Sequence, residues 1–246
     1  MKKLLCLFLA IIMLFLCGCT NESTTPVEES LTVTEADSTK YTIDPDKPML
    51  ALTFDDGPSA HTDRLLDVFE KYDSKGTFFI IGNLIDSRAS TLVRIASEGH
   101  EIGNHSWSHK QLTDLSKEEI EAQIMMTRTK IFEVTGIDSR IVRPPYGTCN
   151  DTVIAVGVNT GVSFVNWTVD TLDWKTKNAD AIYTEIMEYA FDGAIILCHD
   201  LHKATVDAME KAIPALIAKG YQLVTVSQLM ENKGKPLEAG EIYYKG

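Results

Sequence analysis

The sequence predicts an α/β fold, a distorted (β/α) barrel with about seven parallel strands. Short apolar segments alternate with segments of helical periodicity after Tyr41, which is typical of βαβ units and a parallel sheet. The number of these units favours closure into a barrel over an open sheet. Polar residues follow several apolar segments directly, and the carboxyl ends of parallel strands share one rim.

The predicted strands are short and apolar, and they lie at residues 49–54, 77–82, 101–103, 139–143, 163–169, 194–198 and 223–226. The segments between them have helical spacing, at residues 62–72, 91–97, 117–134, 152–158, 179–189 and 205–218. The first strand stops at the turn residues 55–58, and Gly76, Gly99 and Gly220 follow the ends of helices. Ser116 with Glu119 three residues later forms a capping box for the long third helix.

Composition indicates a globular protein, with 44% hydrophobic and 24% charged residues among 246. Lys and Arg number 23 against 35 Asp and Glu, which gives a net charge of −12. Such an acidic chain has no electrostatic means of gripping phosphate backbones, so nucleic acid is excluded as a partner. A neutral substrate fits this charge, and we expect a monomer.

The N-terminus is typical of an export signal. Lys2 and Lys3 precede an apolar run too short to span a membrane comfortably, and Leu16-Cys17-Gly18-Cys19 resembles a bacterial lipobox. We therefore predict a lipoprotein-type signal peptide at residues 1–19 with lipidation at Cys19, so that the protein is exported and anchored to the cell membrane. The alternatives are a plain secretory signal or an uncleaved anchor.

A flexible tether is predicted at residues 20–46, because that segment is rich in Ser, Thr and Glu and has no periodic apolar pattern. The catalytic domain is predicted at residues 47–232, followed by a C-terminal tail at 233–246. Cys149 and Cys198 are expected to be free thiols, with one disulfide as the alternative. His61, His100 and His202 are expected at the surface or the rim.

A metal site is suggested by the segment His105-Ser106-Trp107-Ser108-His109. On a helical turn, imidazoles four residues apart lie on one face and can share a metal ion. Asp55-Asp56 would supply a carboxylate ligand, although a solvated turn explains the same pair. Two His and one carboxylate suit Zn²⁺ with an open position for water, and Co²⁺ or another divalent ion also fits. The second Asp would then be free to act as a base.

Five ordered motifs resemble those of the polysaccharide deacetylases, also called the NodB-homology domain or carbohydrate esterase family four. The resemblance extends over about residues 47–230 and preserves the order of the motifs. They are Thr53-Phe54-Asp55-Asp56-Gly57-Pro58, His105-Ser106-Trp107-Ser108-His109, Arg143-Pro144-Pro145-Tyr146-Gly147, Asp170-Thr171-Leu172-Asp173-Trp174 and Leu197-Cys198-His199-Asp200.

The resemblance implies roles for individual residues around a metal. Asp56, His105 and His109 would be the ligands, and Asp55 the base that activates the attacking water. Arg143 would hold that base ionised, and the backbone N–H of Tyr146 would stabilise the oxyanion.

The same resemblance implies that His199 is the general acid and that Asp173 orients it. Asp170 is the alternative partner of His199. Trp174 and Leu197 would line the slot for the acetyl methyl group.

The expected function is therefore metal-dependent removal of N-acetyl groups from a polysaccharide, with peptidoglycan N-acetylglucosamine as the first choice for an exported lipoprotein. The same chemistry could act on N-acetylmuramic acid, chitin oligomers, an exopolysaccharide or O-acetyl xylan. A hypothesis of another class is a non-catalytic sugar-binding lipoprotein of the same fold, which loss of a ligand, base or acid would favour. None of Asp55, Asp56, His105, His109 or His199 is missing.

Overall fold

The computed structural model describes residues 42–246, and within that range the strands form one curled parallel sheet flanked by helices. This open half-barrel confirms the predicted fold class. The strands are β1 Met49–Gly57, β2 Thr77–Ile80, β3 Glu101–Asn104, β4 Ile141–Val142, β5 Ser163–Val165, β6 Val169–Asp170, β7 Ile195–His199, β8 Gln222–Leu223 and β9 Ile242–Tyr243. The α-helices are α1 Thr62–Lys71, α2 Ala89–Ser97, α3 Lys117–Thr135, α4 Asp151–Thr160, α5 Asp173–Thr176, α6 Ala179–Tyr189, α7 Lys203–Ala218 and α8 Val226–Asn232.

Strand order places the chemistry at one rim. Across residues 42–246 the order is β6-β7-β1-β2-β3-β4-β5-β9, with β8 pairing the start of β1, and each of these pairings is parallel. In β1, Met49 and Leu50 pair with β8, whereas residues 51–55 pair with β7. The carboxyl ends of the strands therefore point the same way, and the loops that follow them meet.

The two faces of β1 show how the core positions the site. Leu50, Leu52 and Phe54 pack outward in the cluster formed with the helices. Met49 and Ala51 lie in the interior cluster, which also contains residues of β2, β4, β5 and β7. Because side chains alternate along a strand, Thr53 and Asp55 continue the interior row. The apolar packing thus directs one polar pair into the interior at the rim.

Several predicted elements differ from the observed ones. The predicted strand 163–169 is two strands, β5 and β6, separated by Asn166–Thr168. The predicted strand 223–226 is shorter, because Thr225 caps α8 through a capping box with Gln228. Within the segment predicted as a tail, β9 pairs with β5 and extends the sheet. The capping box of Ser116 and Glu119 on α3 is confirmed.

The predicted signal segment 1–19 with Cys19, and the tether as far as residue 41, lie outside the described residues. Among the helices of residues 42–246, none combines the length and the apolar character that a bilayer-spanning segment needs.

Candidate active site

Side chains at the carboxyl ends of the strands line one cavity of about 430 Å³ at the rim of the sheet. Asp55 and Asp56 lie near the end of β1, His105 follows β3, and His199 ends β7. The lining residues are Asp55, Asp56, His105, His109, Pro144, Tyr146, Trp167, Asp170, Trp174, Leu197, His199, Leu201 and His202. A cavity of about 490 Å³ opens at the amino ends of β3 to β5, but the one group of potential metal ligands within residues 42–246 is at the rim.

The three predicted metal ligands converge on a single point. The Nε2 atoms of His105 and His109 lie 3.4 Å and 3.3 Å from Oδ1 of Asp56. That oxygen is buried and has no hydrogen-bond partner among the described residues. A buried carboxylate oxygen without a donor, facing two imidazole nitrogens, is the donor set that a divalent cation completes. The residues present therefore fit a metal ion.

The ring of His105 is held in the tautomer that a metal requires. Its Nδ1 lies 2.7 Å from the carbonyl oxygen of Arg143, so Nδ1–H donates there and Nε2 keeps a free lone pair. Burial of the ring lowers the pKa of His105 to about 3, so the imidazole is neutral near pH 7.

The segment that carries the two imidazoles is a bent loop, so the predicted helical turn at residues 105–109 is wrong. Ser106 and His109 have φ values of 65° and 56°. The bend is stabilised by the amide of Ser106, which donates to Oδ1 of Asn104, and by the amide of His109, which donates to Oγ of Ser106. Local side-chain hydrogen bonds of this kind compete with helix formation, and here they turn both rings toward Asp56.

Asp55 is paired with a fully buried arginine. Nη1 of Arg143 lies 2.8 Å from Oδ1 of Asp55 and 2.7 Å from Oγ1 of Thr53. The other guanidinium nitrogens donate to the carbonyl oxygens of Val165 and Asn166, so each of the three nitrogens makes at least one hydrogen bond. Burial raises the pKa of Asp55, and the charge of Arg143 opposes that shift without cancelling it. Asp55 is thus a carboxylate with one oxygen fixed and a raised affinity for a proton.

His199 is paired with Asp173. Its Nδ1 lies 2.8 Å from Oδ1 of Asp173, while Oδ2 accepts from the His199 amide and from the hydroxyl of Thr205. Asp170, the alternative partner, instead accepts from the amide of Leu172. Burial opposes a charge on His199, but the hydrogen bond and the charge of Asp173, aided by Asp55 and Asp56, outweigh it and raise the pKa of His199 to about 9.

The remaining predicted residues form the wall of the cavity. Tyr146 has a φ of 63°, and its exposed ring lies 5.0 Å from that of His109. Trp174 is half exposed on α5, which begins directly after the left-handed residue Leu172. Leu197 is buried on β7 and closes the floor of the cavity.

Sequence reasoning missed Trp167 and Leu201, which also line the cavity. The signal that could have found them was their place in the sequence: Trp167 comes just after strand β5, and Leu201 directly follows the motif that ends at Asp200. The prediction of a surface or rim position is wrong for His100, which is buried between Phe69 and Phe78.

Burial lowers the pKa of His100 to about 3, and its Nδ1 accepts from the amide of Gly76, so it is a neutral core residue. Cys149 and Cys198 are free thiols, as expected.

The model of the polysaccharide deacetylase family matches residues 42–165, half of the chain. The chain belongs to this family. It is 44% identical over 193 residues to the peptidoglycan-N-acetylmuramic acid deacetylase PdaC of Bacillus subtilis, and 38% identical over 196 residues to the peptidoglycan-N-acetylglucosamine deacetylase PgdA of Listeria monocytogenes. These matches cover 78% and 79% of the chain, but only 41% of each relative's own length.

A solved structure of a related enzyme agrees with this assignment. The structure of a family 4 acetyl xylan esterase from Clostridium thermocellum, in complex with a cobalt ion, has a TM-score of 0.75 and 33% identity. The match covers 80% of this chain and 98% of that one. The half-barrel is therefore that of the polysaccharide deacetylase fold.

Proposed function

We propose that this chain is a metal-dependent deacetylase that removes N-acetyl groups from N-acetylglucosamine residues of peptidoglycan, releasing acetate. The observation that carries the proposal is the meeting of three groups at one cavity: the ligand set of Asp56, His105 and His109, the carboxylate of Asp55, and the paired imidazole of His199. Hydrolysis of an amide needs these three functions together, namely activation of water, a base and an acid.

Asp56, His105 and His109 would hold a divalent cation, which would supply Lewis-acid polarisation of the acetyl carbonyl group and lower the pKa of a water. Asp55 has Oδ1 committed to Arg143, so Oδ2 is the atom that accepts a proton from the attacking water. The hydroxyl oxygen adds to the acetyl carbon, and the carbon–nitrogen bond then breaks. His199 has Nδ1 committed to Asp173, so Nε2 delivers its proton to the departing amine nitrogen.

N-acetylmuramic acid is the second candidate substrate. PdaC, a muramic acid deacetylase by name, is 44% identical to this chain, whereas PgdA is 38% identical. The two sugars differ by a lactyl ether on one hydroxyl, and the same acid, base and ligand set serves the acetamide of either.

The test is acetate release from purified peptidoglycan and from N-acetylglucosamine oligomers, with and without chelator. Glucosamine and muramic acid units are then quantified after enzymatic digestion of the treated wall, which leaves the remaining N-acetyl groups in place. New glucosamine that depends on the metal supports the proposal, whereas new muramic acid alone moves the substrate to the second candidate. Release from acetylated xylan alone would make the chain an O-acetyl esterase.

A matched variant separates catalysis from sugar binding. Asp55→Asn keeps the size of the side chain and leaves the three ligands intact, so we expect Co²⁺ binding to persist. Loss of the base should lower the rate of acetate release by about 10²–10⁴-fold. If wild type and Asp55→Asn both bind the polymer and both release no acetate with metal bound, the chain is the non-catalytic binding protein.

We also propose that the protein is an exported lipoprotein acylated at Cys19. The support is the basic start, the short apolar run and the Leu16-Cys17-Gly18-Cys19 sequence. Cys19→Ser should move the protein from the membrane fraction to the medium, while the neighbouring Cys17→Ser serves as the control and should not. Membrane retention of the Cys19→Ser protein would overturn the anchor.

A further inference from the structure

Asp200 is a buried carboxylate that immediately follows His199 and contacts the loop after β1. Its Oδ2 accepts a hydrogen bond from the hydroxyl of Thr62, and its carbonyl oxygen accepts one from Oγ of Ser59 at 2.6 Å. The amide of Ser59 donates in turn to Oγ1 of Thr62 at 2.7 Å. The end of β7 and the loop that connects β1 to α1 are therefore joined by a closed ring of hydrogen bonds.

The same carboxylate occupies the space beside Gly57. A Cβ added to Gly57 would lie 2.8 Å from Oδ1 and 2.9 Å from Oδ2 of Asp200, closer than real Cβ contacts come. The backbone of residue 57 and the Asp200 side chain thus pack directly against each other. Oδ1 of Asp200 has no hydrogen-bond partner among the described residues, so its position is set by this packing and by Thr62.

The residue before Gly57 is the one that this packing would hold. Asp56 has a φ of 69°, in the left-handed region that favours glycine. A non-glycine residue there is held in place by the contacts around it. This conformation also turns Oδ1 of Asp56 toward the imidazoles of His105 and His109.

We propose that Asp200 is a positioning residue: it holds the Asp56–Gly57 turn in place, and so sets the carboxylate ligand relative to the two imidazole ligands. The inference rests on the proposed metal site, but not on which acetylated polymer is hydrolysed. Asp200 acts through the backbone of residue 57 and contacts neither metal nor substrate. Residues that orient metal ligands in this way typically contribute about 10–100-fold to metal affinity or activity.

The experiment measures Co²⁺ binding to the full chain by calorimetry, together with the thermal midpoint of the metal-free protein. Asp200→Ala removes the packing and the acceptor, and we expect the Kd for Co²⁺ to rise by about 10–100-fold. Asp200→Asn keeps the size and an oxygen acceptor for Thr62, so it should restore part of that loss. Thr62→Val removes only the hydroxyl and should weaken binding in the same direction.

Glu101→Gln is the matched control. Glu101 is a half-buried carboxylate that, like Asp200, accepts from hydroxyl groups, here those of Thr77 and Ser227, but it lies at the opposite end of the half-barrel. It should lower the thermal midpoint as the Asp200 variants do and leave the Kd for Co²⁺ unchanged.

An unchanged Kd in Asp200→Ala, or an equal loss of affinity in Glu101→Gln, would overturn the inference, as would a wild-type chain that binds no Co²⁺. If the wild type binds Co²⁺ and Asp200→Ala weakens it, but no polymer yields acetate, the proposed function fails while the inference holds.

Discussion

Replacing Asp173 with asparagine removes the charge that holds a proton on His199 and changes little else in shape. The pair raises the pKa of His199 from its ordinary value of 6.5 to about 9, against the effect of burial. That shift corresponds to about 3 kcal/mol in favour of the protonated ring. Without Asp173, only the more distant charges of Asp55 and Asp56 oppose the effect of burial on the ring. We therefore expect the pKa of His199 to fall to about 6.5 or lower.

The assay is an NMR titration of the His199 ring in the metal-free protein, assigned by comparison with a His199→Gln spectrum. At pH 7.5 a pKa of 9 leaves the ring about 97% protonated, whereas a pKa of 6.5 leaves about 9%. The general acid is therefore depleted about tenfold in Asp173→Asn. In the metal-loaded enzyme, the pH at which kcat/KM falls on the alkaline side should decrease by as much as the pKa of His199 does.

Asp170→Asn is the control, because Asp170 belongs to the same motif but bonds to the amide of Leu172. It should leave the pKa of His199 near 9. A pKa of His199 that stays above about 8.5 in Asp173→Asn would refute the reasoning. An equal fall in the pKa of His199 in Asp170→Asn would refute it too. Because the folded-state pKa lies above 6.5, the stabilisation from the pair is fully present below about pH 6.5 and is lost as the pH rises through about 9.

Three further substitutions test the supports of the site by urea unfolding near pH 7. Arg143→Met leaves the buried Asp55 without its partner and should lower the free energy of unfolding by about 3–5 kcal/mol; a loss below about 1 kcal/mol would contradict the pairing. Gly103→Ala places a methyl group 2.3 Å from the ring of Phe79, which underlies Arg143, and should cost about 1–3 kcal/mol, whereas no loss would contradict the packing. Ser116→Ala removes the cap of α3 and should cost about 1 kcal/mol without affecting acetate release, while a change in kcat/KM would count against a purely structural cap.

The convergence of the candidate site could be predicted from sequence because it follows from topology. Once strands and helices alternate, parallel pairing brings the carboxyl ends of β1, β3 and β7 to one rim. The alternation along β1 also places Thr53 and Asp55 on the same face, where both meet Arg143. Spacing could not show that Arg143 would be wholly buried, because its other partners are carbonyl oxygens of Val165 and Asn166.

Those carbonyl groups also explain why the predicted strand 163–169 is interrupted. The carbonyl oxygen of Asn166 accepts from Arg143, and its side-chain amide donates to the carbonyl oxygen of Gly147. The backbone amide of Asn166 still donates to the carbonyl oxygen of Tyr243 in β9, but its own carbonyl oxygen is taken by Arg143, so the ladder stops here: β5 ends at Val165 and β6 begins at Val169. The signal for α8, by contrast, was present in the sequence as Thr225 followed by Gln228.

Backbone conformation at the rim was beyond sequence reasoning, and the reason is energetic. Of the seven non-glycine residues with positive φ in residues 42–246, five lie in the rim loops: Asp56, Ser106, His109, Tyr146 and Leu172. Local propensity disfavours this conformation for Ser, Tyr and Leu, so hydrogen bonds and packing around these residues hold it. Two of those hydrogen bonds come from side chains two residues earlier, and they join the amide of Ser106 to Asn104 and the amide of Leu172 to Asp170.

The spacing of the motifs therefore predicts which side chains meet, while the groups that bend the backbone decide how they meet. This division explains why the prediction of a helical turn at His105–His109 is wrong although the two imidazoles still converge. A left-handed residue at Ser106 and another at His109 bring the two rings together without a helix. The residues that support those bends, rather than the ligands alone, should then govern how tightly this chain binds a metal ion.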